Sequence, residues 1–157
     1  MLRRESRIAT GLLAVLSAFL LGAGYSPQTN YVLHCQGCHG VDGIGGLPDE
    51  VPPLLDSIGY YLEVPEGRRF LIQVPGIAHA PISDLELAGL LNHILRKFSA
   101  KQLPPSFVPY TPEEVGLVRR SRADVVAARA QLVSTLREDR GVQMWSREKP
   151  MMAQEVR

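Results

Sequence analysis

Cys35-Gln36-Gly37-Cys38-His39, framed by His34 and Gly40, is the stretch around which this chain is organised. Two thiols one helical turn apart can each add to one vinyl group of the same porphyrin. The imidazole of the next residue, His39, then lies close enough to reach the iron from one face. The run C-x-x-C-H is the attachment signature of c-type haem, and a proximal histidine is a standard ligand of haem iron. The chain has 2 cysteines, so none is left over. A disulfide framework needs more cysteines and a smaller, loop-rich chain. A zinc site wants a second ligand pair at short spacing, which His34, His79 and His93 do not supply. A thioredoxin-like C-x-x-C belongs beside a βαβ pattern, and no such pattern is visible.

Working outward, the residues before the motif make a helix that delivers Cys35. Ser26 at the N-cap and Pro27 at the first helical position start it. Gln28, Tyr31, Val32 and Cys35 follow on one face. Gly40, Gly43, Gly45 and Gly46 end it and open a loop. Val51-Pro52-Pro53-Leu54 cannot enter a helix interior, because neither proline has an N–H. That rigid turn suits a backbone carbonyl held against the other nitrogen of His39, with Pro52 as the supporting residue. Short helices are expected at 57–63, with Tyr60 and Tyr61 packed near the haem, and at 67–74. Arg68 and Arg69 are candidates for a haem propionate and equally for solvent.

Residues 74–82 read as a loop. Ser83-Asp84-Leu85-Glu86 is then a capping box, and Leu87, Leu90, Leu91, Ile94 and Phe98 form the apolar stripe of a long helix. His93 falls on the flank of that stripe. Residues 101–110 are a proline-rich connector. Thr111-Pro112-Glu113-Glu114 and Ser121–Asp124 start two further helices, which form a helical hairpin over 111–141. Val125, Ala128, Leu132 and Leu136 are its inner seam, with Arg122, Arg129 and Arg137 outside. Residues 142–157 read as a flexible tail.

The start of the chain reads as a targeting segment, residues 1–24. Arg3, Arg4 and Arg7 form a basic region, Gly11–Leu21 an apolar one, and Gly22-Ala23-Gly24 a cleavage region. The apolar run is short for a bilayer span, which needs about 20 residues. An uncleaved anchor is the rival reading. Cleavage predicts a periplasmic protein, without a membrane span, in the compartment where haem is attached. The whole chain of 157 residues has a formal net charge of +1, and cleavage would bring it close to neutral. That balance argues against a nucleic-acid partner.

Helix, C-x-x-C-H, glycine loop, proline turn, ligand loop and capped helix together resemble the class I monohaem cytochromes c, over residues 27–98. The resemblance implies an all-α fold, residues 25–100, around one covalent haem c. It implies a non-enzymatic one-electron carrier. Cys35 and Cys38 match the attachment points, His39 the proximal iron ligand and Pro52 the turn proline. A periplasmic redox enzyme, such as a dehydrogenase, would be the donor, and another carrier or an oxidase the acceptor.

The chain departs from that family at the sixth ligand. The family supplies a methionine from the loop before the last helix, where this chain has Gly76-Ile77-Ala78-His79-Ala80-Pro81. Apart from Met1, its methionines are Met144, Met151 and Met152. Three readings stay open: His79 is the distal ligand, the position takes a small molecule, or Met144 folds back to the iron. An imidazole in place of a thioether lowers the potential. An open position instead implies a haem-based ligand sensor or a peroxidase-like protein.

Overall fold

The computed structural model describes residues 24–45, 51–142 and 144. The expected targeting segment lies almost wholly outside them, as do Met151 and Met152. The described residues form helices and no strands. These are α1 (Pro27–His34), α2 (Gln36–His39), α3 (Gly67–Gln73), α4 (Pro75–Ala78), α5 (Asp84–Phe98), α6 (Pro112–Val118) and α7 (Val125–Arg140), with 3₁₀ turns at Ile58–Glu63 and Ala100–Gln102. None of the described helices is long and apolar enough to cross a membrane.

The fold is built on α5. Its capping box closes in both directions: Glu86 N–H donates to Ser83 Oγ at 3.2 Å, and Ser83 N–H to Glu86 Oε2 at 3.1 Å. Two orphan N–H groups are satisfied by two side chains, which fixes where the helix begins. Leu87, Leu90 and Leu91 are fully buried along the expected stripe, and Leu95 beside it is fully buried too. One face of α5 receives α1, where Tyr31 meets Phe98 with ring centroids 5.0 Å apart. Glu86 also accepts from the N–H of Tyr25 at 3.0 Å, tying the start of the described chain to α5. Gly43 lies at φ +77°, and a Cβ there would sit 2.6 Å from the Phe98 ring, so the glycine loop can cross α5 only without a side chain.

The C-terminal helices fold back onto this body. α6 packs on α5 and α3, and α7 on α3 and the Ile58–Glu63 turn. Val115, Leu132, Val133 and Leu136 carry that burial. The 101–110 connector is held rather than loose. Asn92 and Tyr110 exchange two hydrogen bonds of 2.9 and 2.8 Å. Arg68 donates to the carbonyls of Val108 and Pro109, clasps Glu114 with two bonds of 2.5 and 2.6 Å, and stacks on the Tyr110 ring. Two further details differ from the sequence expectation. Residues 75–78 are a helical turn, because Pro75 at its first position needs no N–H partner. The expected tail starts with Val142 packed on the core and Met144 buried.

Candidate functional site

A mostly apolar cavity of about 550 Å³ opens beside α2. That volume falls within the ordinary range for a bound cofactor. Cys35, Cys38 and His39 all line it, so the contiguous motif is also one side of the cavity. Pro52, Pro53 and Leu54 add the proline turn. Tyr61, Phe70, Leu71 and Ile94 form the floor, and Val74–Ile77 with Val125 and Arg129 complete the wall.

Local hydrogen bonds position the motif. Cys35 caps α1 through its N–H to the Tyr31 carbonyl, and α2 starts from the same residue. His39 N–H donates to the Cys35 carbonyl at 3.0 Å. Tyr31 Oη donates to the Gly40 carbonyl at 2.6 Å, pinning the residue after His39 to α1. Burial is the main reason the Tyr31 hydroxyl is pushed up to about 12, so it remains a donor at neutral pH. The N–H groups of Leu54 and Leu55 both reach the Gly43 carbonyl, at 2.7 and 3.0 Å. That pair of bonds brings the proline turn against His39.

The electrostatics favour an uncharged ligand set. Burial lowers the pKa of His39, and the Pro52 carbonyl opposes that fall. His39 Nδ1 is nevertheless buried without a formed hydrogen bond, so the carbonyl faces the ring without completing one. A neutral imidazole is the form that binds a metal. Cys35 is buried and Cys38 exposed. Burial first, and then the neighbouring Cys38, pushes the Cys35 thiol up to about 11. Two thiols, a neutral imidazole and an apolar cavity fit a haem held by two thioethers and one histidine. When bound, the haem supplies one-electron iron chemistry.

Other candidates lie elsewhere. His79 is exposed and does not line the cavity. Met144 is buried in the core but is not on the cavity wall. Arg68 and Arg69 do not line the cavity either; the first is taken by Glu114 and the second donates to Ser121 Oγ at 3.1 Å. Tyr61 lines the cavity, whereas Tyr60 does not.

Two arginines play parts that the sequence reading did not give them. Arg129, expected on the outside of its helix, is on the cavity wall together with Tyr61, and its charge partly offsets the rise that burial causes in the pKa of the Tyr61 hydroxyl. The signal was available: Arg129 lies four residues after Val125, on the same helical face. Arg119 follows the last residue of α6 and clamps the segment before α5. Its guanidinium donates to the carbonyls of Ala78 (3.1 and 3.0 Å), Ala80 (2.7 Å) and Ile82 (3.0 Å), and to Asp84 Oδ1 at 3.2 Å. No local pattern marks that residue.

No family model matches the chain. Among curated proteins it is similar to a cytochrome c-552 of Thermus thermophilus, at 30% identity over 142 residues, 74% of this chain and 95% of that protein. A second Thermus thermophilus cytochrome c-552 is also 30% identical, over 119 residues that cover 62% of this chain and 90% of the relative. With helices wrapped round a cavity that carries C-x-x-C-H on its wall, the chain belongs to the class I c-type cytochromes, haem-based electron carriers with covalently attached haem c.

Proposed function

We propose that this chain is an exported one-electron carrier whose haem is joined to Cys35 and Cys38 and ligated by His39. The convergence of both cysteines and His39 on one apolar cavity carries the reading. The Pro52 carbonyl faces the His39 ring and opposes the fall in its basicity that burial causes. Cys38, on the exposed side, marks the edge through which electrons pass to partners.

The donor is a periplasmic redox enzyme such as a dehydrogenase, and the acceptor another carrier or an oxidase. Such encounters are small and transient. The basic and apolar start of the chain supports export with cleavage near residue 24. A potentiometric titration of the exported protein tests the reading. A single reversible wave with a one-electron slope, about 59 mV per decade, is expected. A protein that carries haem but does not cycle reversibly would refute it.

A further inference from the structure

We propose that the haem iron of this chain keeps an exchangeable position and binds small exogenous ligands there, neutral diatomics when reduced and small anions when oxidised. The inference rests on haem attachment at Cys35–His39. It goes beyond electron transfer, which needs no such position.

The metal-binding side chains of the cavity are the first argument. Besides the cysteines and His39, the described wall offers two groups that could bind iron, His34 and Tyr61. His34 is exposed and immediately precedes Cys35, so attachment at Cys35 holds it at the haem edge. Tyr61 is buried, and burial raises the pKa of its hydroxyl, which disfavours the phenolate that binds iron. The remaining wall at Val74–Ile77 is apolar or backbone and has no ligating side chain.

The clamp is the second argument. For His79 to reach the cavity, the segment from Ala78 to Ile82 would have to turn. Arg119 binds the carbonyls on both sides of His79, those of Ala78 and Ala80, and that of Ile82 beyond. Its own charge is balanced by Asp84. Turning the segment would strip a mostly buried guanidinium, whose side chain is 13% exposed, of several charge-assisted bonds at once. The C-terminal helices therefore keep His79 outside.

Binding forms one iron–ligand bond and consumes no oxidant or reductant.

The test uses the haem-loaded protein. Carbon monoxide is titrated into the reduced form and cyanide into the oxidised form, followed by absorption spectra. Both are expected to shift the spectrum to saturation, and His79→Ala is expected to bind both as the parent does. A low-spin spectrum that carbon monoxide leaves unmoved would overturn the proposal, whichever residue supplied the sixth ligand. So would a parent that ignores carbon monoxide while His79→Ala responds. A chain without covalent haem would instead refute the attachment reading.

Discussion

Cys35–His39 and Val74–Ile77 both border the cavity and both are closed by local helical bonds, but only the second runs on into chain that is held from far away in sequence. The attachment run is fixed by bonds to Tyr31, Gln36 and Gly45, none more than nine residues away. The chain that follows Val74–Ile77, from Ala78 to Ile82, is fixed by Arg119, 37 to 41 residues downstream. A contiguous motif carries its geometry with it. A segment held from a distance takes its geometry from whatever the rest of the chain brings against it. The chemistry divides in the same way: the family's attachment pattern is intact at the first region, while the second has no methionine and turns its histidine outward.

Substitutions can separate the two. Helix α5 underlies both, so Leu91→Ala should weaken both together. Leu91 is fully buried, and such truncations cost about 2–5 kcal/mol, which chemical denaturation will read. Arg119→Leu should act on the second region alone. We expect a loss of about 2 kcal/mol, from carbonyls and Asp84 left without their charged donor. Hydrogen exchange should quicken at the Ala80 and Ile82 amides, with the His39 and Gly40 amides unchanged. Equal quickening at both regions would break the distinction. Tyr31→Phe is the mirror case. It removes the bond to Gly40 at a cost of about 1 kcal/mol and should loosen residues 39–45 only.

The smallest effect concerns pH. Hydrogen bonds from Arg120, and then from Arg119, hold the Asp84 carboxyl below its ordinary value of 3.8. A depressed carboxylate contributes stability above its unfolded pKa and loses it as pH falls through the folded one. Asp84→Asn should therefore flatten the fall in stability below about pH 4 and leave its slope near neutrality unchanged. An unaltered acid slope would show that the clamp does not depend on this carboxylate.

Much of the fold was legible in the sequence because its signals are local. The capping box at Ser83 and Glu86, the stripe from Leu87 to Phe98 and the Ser26-Pro27 start all appear where the pattern places them. The cavity side of the motif was legible for the same reason. Residues 75–78 were read as loop because Pro75 and Gly76 look like breakers, although a proline is welcome at a first helical position. Arg119 was not legible, since a guanidinium that binds four separate groups looks the same in sequence as one in solvent. Arg129 was misread because the seam was drawn from apolar residues alone, while a long cationic side chain can share that face.

The central claim is that Cys35 and Cys38 bind the haem covalently. It is tested most directly by denaturing the exported protein and extracting it with acidified organic solvent, with the double variant Cys35→Ser, Cys38→Ser alongside. Haem that stays with the parent polypeptide and is extracted from the variant, if the variant holds any, is the predicted result. Haem extracted from the parent, or retained by the variant, would contradict the account.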